Sequence, residues 1–107
     1  MIEQYSGVIL MGNTIRLKNT ITDIDGNPYT PDTLEIKIYD GKGVLVNTIE
    51  NSNIQSEGTG TGIYYVDYIV VADNNNPGKW RAVWTVSKDT KPNVDYIEFE
   101  VIKVLGV

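Results

Sequence analysis

The amino-acid sequence predicts an all-β fold, an antiparallel sandwich of about seven strands in two sheets. Short runs rich in β-branched and aromatic residues alternate apolar and polar side chains with a period of two, as strands with one buried face do. Clusters of Gly, Asn, Asp and Pro separate these runs at regular intervals, and such clusters mark turns. No stretch shows the 3.6-residue period of an amphipathic helix, so no helical domain is expected.

The stretch 62–84 is expected to supply a large share of the core, because it holds both tryptophans and three of the seven tyrosines. Trp80, Ala82 and Trp84 fall on one face of its second run. The first run is expected to face them with the side chains that alternate with Asp67, which are Tyr64, Val66, Tyr68 and Val70.

The other strands follow from the same alternation. Residues 8–11 form a short apolar run that predicts an edge strand, and residues 14–24 alternate as a half-buried strand does. A third strand over 34–39 and a fourth over 44–49 flank residues 40–43, whose Asp-Gly-Lys-Gly sequence predicts a hairpin turn.

Two polar segments predict loops. Residues 50–63 are rich in Asn, Ser, Thr and Gly and indicate a long, mobile loop, and residues 87–93 contain Pro92 and indicate a second one. The last strand is then expected over 94–104. The predicted core side chains are Leu17, Ile36, Tyr64, Tyr68, Trp80, Trp84 and Phe99.

Seven short strands at this spacing favour an immunoglobulin-like sandwich, with a small barrel as the alternative. A chain of 107 residues has the size of one domain, here residues 1–107. If the last two strands pair, Arg81 lies near Glu98 and Glu100 on the wet face. Ion pairs would then explain these charges without a functional site.

The composition excludes several classes of function. The chain contains no cysteine and no histidine, so disulfides, thiolate metal sites and Ser-His-Asp triads are ruled out. A net charge of -5 argues against nucleic acid and membrane surfaces as partners. No apolar run reaches the roughly 18 residues of a spanning helix. Met1 is interpreted as a native start without a signal peptide, a domain cut from a longer chain being the alternative.

Two pairs of motifs carry a resemblance to a known family. Near the start the chain reads Gly12-Asn13-Thr14-Ile15-Arg16-Leu17 and then Thr22-Asp23-Ile24-Asp25-Gly26-Asn27-Pro28. Further on it reads Gly62-Ile63-Tyr64 and then Pro77-Gly78-Lys79-Trp80. These motifs resemble those of bacterial immunoglobulin-like domains, and small stand-alone structural proteins of tailed bacteriophages look similar over about residues 12–102. The resemblance implies an immunoglobulin-like fold and a component of the virion; its turn and core signatures are more specific for fold than for function.

Several residues that could carry chemistry also fit ordinary structural roles. Residues 23–27 match the start of a calcium loop, but Leu34 stands where an EF-hand requires a bidentate Glu, so a simple turn is favoured. Glu98, Glu100 and Asp67 could pair for glycoside hydrolysis, yet a chain this short offers little room for a cleft. A solvated, ion-paired face is the favoured interpretation, and no catalytic residue, metal or cofactor is predicted.

The apolar chain ends are the leading candidates for an interaction surface. Both end runs lack alternation, so one face of each would be exposed in a free monomer, and together they would form an assembly patch. The alternative, given equal weight, is that they cover each other and the edge of the core. Outward-facing tyrosines could stack on sugar rings or form an interface. The candidate interaction residues are Val8, Ile9, Leu10, Met11, Val104, Leu105, Val107, Tyr39 and Tyr65.

Together with these features, the resemblance implies a non-enzymatic structural protein of a tailed-phage virion, an accessory component of the capsid, neck or tail. It would be made in the host cytoplasm and dock on virion proteins or on itself through its apolar edges. The alternative is an immunoglobulin-like module of a bacterial cell surface or adhesin, with a glycan as a further candidate partner.

Overall fold

The computed structural model of the protein describes residues 2–3, 8–23, 25–28, 30–58, 60–70, 76–89 and 91–103. Within these ranges the chain forms nine strands and one three-residue 3-10 turn, Asn51–Asn53. In chain order the strands are β1 Ile2–Glu3, β2 Val8–Leu10, β3 Thr14–Thr20, β4 Thr33–Tyr39, β5 Leu45–Glu50, β6 Gln55–Ser56, β7 Ile63–Ile69, β8 Gly78–Lys88 and β9 Lys91–Ile102.

The strands form two sheets. One has the order β1-β3-β7-β6 and the other the order β2-β9-β8-β4-β5. All neighbouring strands are antiparallel except β2 and β9, which run parallel. The predicted all-β sandwich is confirmed. The two strands beyond the seven predicted are β1 and β6, each two residues long and each at an edge of the smaller sheet.

The core lies between the sheets and follows the predicted alternation. Trp80, Ala82 and Trp84 on β8 are completely buried, and the indole ring of Trp80 packs on the ring of Phe99 with centroids 6.2 Å apart. The buried set also includes four side chains of the predicted core on the other strands: Leu17, Ile36, Tyr68 and Phe99. Tyr64 is only partly buried and packs against this cluster.

Both segments predicted as loops contain regular structure. Residues 50–63 hold the 3-10 turn and β6, whose Gln55 and Ser56 pair with β7, so the prediction of one long loop was wrong. Residues 87–93 are mostly strand, because β8 and β9 continue to Lys88 and from Lys91. Pro92 lies opposite Ser87 in the register of these two strands. The carbonyl of Ser87 points toward β4, where it accepts the Asp32 N–H at 2.8 Å, so Pro92 faces no acceptor on β8. A residue without an N–H is therefore tolerated at this position.

Candidate functional site

The two apolar runs near the chain ends lie side by side where the structure describes them, which is the arrangement that an assembly patch would require. β2 pairs with the end of β9 in the register Val8↔Glu100, Ile9↔Val101 and Leu10↔Ile102. Among the described residues β2 is the last strand in its sheet and has no strand partner on its other side. An edge strand of this kind can pair with another chain.

Alternation along β2 separates the predicted interaction residues into two groups. Ile9 is 3% exposed and Met11 is 5% exposed, so both belong to the core and their assignment to an interaction surface was wrong. The reason is that strand pairing with β9 turns every second side chain of this run inward. Val104, Leu105 and Val107 lie outside the described residues.

The outward side chains at this edge form an apolar surface. Val8 is 56% exposed, Leu10 39% and Ile102 41%. We call these three residues the edge patch. Ile102 was not among the predicted interaction residues, although it belongs to the same non-alternating run as Val104, Leu105 and Val107.

A groove opens on the same outer face of the larger sheet, beside the hairpin that joins β4 to β5. Its volume is about 610 Å³. Strands β4, β8 and β9 form its floor, and the hairpin turn forms a wall. The residues that line it, which we call the hairpin groove, are Tyr39, Asp40, Gly41, Gly43, Lys79, Arg81, Val83 and Glu98.

The wall of the hairpin groove is held by Asp40, which is 3% exposed. One carboxylate oxygen accepts the backbone N–H groups of Lys42 and Val44 at 2.9 and 3.1 Å. The other accepts the backbone N–H of Asn76 at 3.3 Å and its side-chain amide at 2.7 Å. The carbonyl of Asn76 in turn accepts the indole N–H of Trp80 at 2.7 Å. The hairpin turn is therefore connected through Asn76 to Trp80 in the core.

These contacts decide the ionisation of Asp40. Burial acts to raise the pKa of Asp40, but the hydrogen bonds from the Asn76 amide and three backbone N–H groups outweigh it, and the pKa is lowered. Four N–H donors also occupy the roughly four lone-pair sites of a carboxylate. Asp40 is therefore an ionised structural anchor with no acceptor left for a ligand and no proton to give.

The floor of the groove carries two cations and one carboxylate, Lys79, Arg81 and Glu98. Arg81 donates to Glu98 at 3.2 Å, as predicted, and its guanidinium carbon lies 5.0 Å from the ring centroid of Tyr96. Glu100 lies opposite Lys79 in the strand register and not opposite Arg81. In the described part of the chain no carboxylate forms an ion pair with Lys79.

On the outer face of the smaller sheet, charged side chains pair with one another. Arg16 binds Asp67 through two hydrogen bonds of 2.8 and 3.0 Å and lies 4.2 Å above the ring of Tyr65. The hydrogen bond from Arg16 is the main reason that the pKa of Asp67 is lowered. One face of Tyr65, a candidate interaction residue, is therefore covered by Arg16, whereas Tyr39 lines the hairpin groove.

The segment that resembled a calcium loop forms a simple turn. One carboxylate oxygen of Asp23 accepts the N–H groups of Asp25 and Asn27, both at 2.9 Å, as turn-forming aspartates do. Over the described ranges no three His, Cys, Asp or Glu residues are grouped so that they could hold a metal ion. In the part of the chain that the structure describes, no helix is long and apolar enough to cross a membrane.

Sequence reasoning missed Asp40, Asn76 and Lys79. An Asp that opens an Asp-Gly-Lys-Gly turn is a recognisable signal, because its carboxylate commonly accepts N–H groups within the turn. Asn76 and Lys79 carry no such local signal, since their positions in the groove depend on contacts between strands far apart in the chain.

Neither a family model nor a curated protein matches the sequence. Solved structures do match the fold. It is similar to part of the alpha-2-macroglobulin of Escherichia coli, with a TM-score of 0.66 and 17% identity over 94% of this chain and 8% of that chain. It is also similar to part of the endo-beta-1,4-mannanase of Thermotoga petrophila, with a TM-score of 0.63 and 18% identity over 94% of this chain and 18% of that chain.

A whole domain of similar size matches as well. The Lin-41 filamin domain has a TM-score of 0.54 and 10% identity over 89% of this chain and 82% of its own length. At these identities the likeness is one of fold alone. This chain is an immunoglobulin-like β-sandwich. It spans less than a fifth of the mannanase and less than a tenth of the macroglobulin, so their activities are not transferred to it.

Proposed function

We propose that the protein is a non-enzymatic interaction module that docks on a second protein through the edge patch. The observation that carries this proposal is the exposure of Val8, Leu10 and Ile102 beside the open edge of β2. A partner that covers these side chains gains about 25 cal/mol for each Å² of apolar surface removed from water. A strand of the partner could also pair with β2.

The resemblance of about residues 12–102 to small immunoglobulin-like proteins of tailed phages supports a virion protein as that partner, on the capsid, neck or tail. A patch of three side chains binds weakly at one site. Many copies on a repeating virion surface compensate for this, because linked weak contacts gain avidity. The protein would then be located on the virion.

The state of the carboxylates supports a non-enzymatic role. Asp40 is saturated with hydrogen bonds, Asp67 is bound by Arg16, and Glu98 is bound by Arg81. A pair of acid and base residues needs one carboxylate that can take up a proton and another that stays ionised. The pKa values of Asp40 and Asp67 are both lowered, so neither carboxylate is suited to be the acid of such a pair.

Co-sedimentation with virions tests the proposal. The tagged chain, supplied while the phage that encodes it is grown, should band with purified particles, and Leu10→Glu should reduce the bound amount at least several-fold. Val94→Glu is the matched control, because Val94 is 67% exposed on β9 at a distance from the edge patch along the strand.

Three outcomes decide the matter. Absence of the unchanged chain from particles would refute the virion role. Equal binding of the Leu10→Glu variant would refute the edge patch as the docking surface. The third outcome comes from light scattering at increasing concentration: a mass that rises for the unchanged chain and not for Leu10→Glu would make a second copy of the chain the partner.

A further inference from the structure

The charged side chains that line the hairpin groove balance one another. Lys79 and Arg81 bring two positive charges, and Asp40 and Glu98 bring two negative charges. Glu100, opposite Lys79 in the strand register, places a further carboxylate just outside the lining. An anion would therefore meet carboxylates and a cation would meet Lys79 and Arg81, so the groove is best suited to a neutral ligand.

Donors and acceptors alternate across the floor of the groove. Tyr39, Arg81 and Glu98 lie opposite one another in the register of β4, β8 and β9. Neighbouring strands are about 4.8 Å apart, so the three side chains form a row about 10 Å long. A guanidinium that only donates thus stands between a carboxylate that only accepts and a phenol that does both. Because Glu98 accepts one hydrogen bond, from Arg81, acceptor sites on its carboxylate stay open to a ligand.

The ion pair at the centre of this row is held in place and is still accessible. The guanidinium of Arg81 contacts both Glu98, at 3.2 Å, and the ring of Tyr96, at 5.0 Å from the centroid. The side chains of Arg81 and Glu98 are nevertheless 52% and 35% exposed. The wall beside them is fixed by the contact of Asp40 with Asn76. Binding to groups that are already ordered costs less conformational entropy, so the site is preformed.

Apolar surface and room for a ligand accompany the row. Val83 and the ring of Tyr39 belong to the lining, and both residues are partly exposed. At Gly43 no atom lies within 4 Å of the place that a Cβ would take, so a ligand can approach the backbone of the wall there. The groove volume of about 610 Å³ is within the usual range of about 300 to 1,000 Å³ for small-ligand sites.

We propose that the hairpin groove binds a neutral saccharide, with neighbouring hydroxyl groups of a sugar ring on Arg81 and Glu98 and the apolar face of the ring on Tyr39. Each hydroxyl both donates and accepts a hydrogen bond, which matches a guanidinium next to a carboxylate. Hydrogen bonds with a charged partner are the stronger kind. The C–H groups of a sugar ring can pack on an aromatic ring, which presents a large apolar surface. This binding is a second activity, separate from docking through the edge patch.

Titration of the whole ¹⁵N-labelled chain with the neutral disaccharides maltose, lactose, cellobiose and N,N′-diacetylchitobiose tests the proposal. At least one of them should shift the amide signals of residues 39–43 and 79–83 and saturate in the millimolar range. Glu98→Ala should weaken this binding about tenfold, which corresponds to 1.4 kcal/mol. Tyr39→Leu, which keeps an apolar side chain without the ring, should weaken it as well.

Glu35→Ala is the matched control for Glu98→Ala. Both carboxylates are 35% exposed and each pairs with a cation of the same sheet, but Glu35 does not line the groove. Sugar binding should therefore be unchanged in Glu35→Ala. Added salt should also change it little, because the ligand carries no charge to be screened.

The contrary results are distinct. Absence of shifts with all of these sugars at tens of millimolar would refute the site, and shifts confined to residues away from the lining would place binding elsewhere. Equal losses in Glu98→Ala and Glu35→Ala would refute the role of Glu98. Stronger binding of glucuronic acid or of glucosamine than of glucose would show an ionic site instead. Leu10→Glu must leave sugar binding unchanged, so the groove and the edge patch can fail separately.

Discussion

The side-chain amide of Asn76 donates to the carboxylate of Asp40 over 2.7 Å, across 36 positions of the sequence. This contact joins the β4–β5 hairpin to the residue that shortly precedes β8. The carbonyl of Asn76 continues the connection to the indole of Trp80 in the core. The wall of the hairpin groove is therefore part of the folded core and not a separate, mobile turn.

Asp40→Asn is expected to lower the free energy of unfolding at pH 7 by about 1 to 3 kcal/mol, because an amide places a donor against N–H groups that need an acceptor. The pKa of Asp40 is lowered on folding. Its contribution is therefore complete above the unfolded value of about 3.9 and is lost as the pH falls through that value toward the folded pKa. Urea unfolding between pH 7 and pH 2.5 should show the two proteins converging in acid.

Asp67 needs a separate control in that experiment, because folding lowers its pKa as well. Its ion pair with Arg16 is about half exposed, so salt should screen it. The series is best repeated at high salt and in an Asp67→Asn background. A constant difference between Asp40→Asn and its parent down to pH 2.5 would show that the carboxylate charge does not stabilise the turn.

The two tryptophans provide a matched pair for measuring the contribution of the Asn76 hydrogen bond. The indole N–H of Trp80 donates to Asn76, whereas that of Trp84 is buried without a partner among the described residues. Both indoles are fully buried, so replacement by Phe removes a similar volume. Trp80→Phe should therefore destabilise the fold by about 1 kcal/mol more than Trp84→Phe. Chemical denaturation measures both, and the reverse order would contradict the assigned role of Asn76.

Gly41→Ala is expected to destabilise the hairpin, because a Cβ at this position would overlap the backbone carbonyl of Pro77. Backbone atoms cannot move aside as a flexible side chain can, so the turn would have to separate from Pro77. Overpacking of this kind costs about 1 to 3 kcal/mol. Lys42→Ala, at the next, exposed position, should change the melting temperature little. Equal melting temperatures for the two variants would argue against the close approach.

Asn19→Leu is expected to stabilise the protein by about 1 kcal/mol. Asn19 lies in the core at 2% exposure, and its side-chain oxygen has no hydrogen-bond partner in the described structure. Replacing an unpaired buried polar group by an apolar one of similar size removes a desolvation penalty. The smaller Asn19→Val tests for crowding, and Asn47→Leu on the exposed edge strand β5 should have little effect. Lower stability in both Asn19 variants would indicate that the side-chain amide of Asn19 stabilises the fold.

Local patterns determined the faces of the strands. The alternation over residues 14–24 predicted a strand with one buried face, and the structure buries Ile15, Leu17 and Asn19 on that face of β3. Alternation is a property of neighbouring residues in an extended chain, so a single strand carries it without its partners. The same reasoning placed Trp80 and Trp84 in the core. It could not show that Asn19 would have an unpaired oxygen there, which depends on what packs against it.

The sequence by itself determined an all-β sandwich, its principal strands and most of its core, because period-two alternation and turn composition are local. The tertiary structure decided that Pro92 lies within a strand, that Ile9 is buried while Leu10 is exposed, and that Asp40 meets Asn76. Each of these depends on which strand lies alongside, and a pairing between distant segments leaves no periodic signal in either of them. The hairpin groove is the result of such pairings, so its lining residues became a set only when the chain was folded.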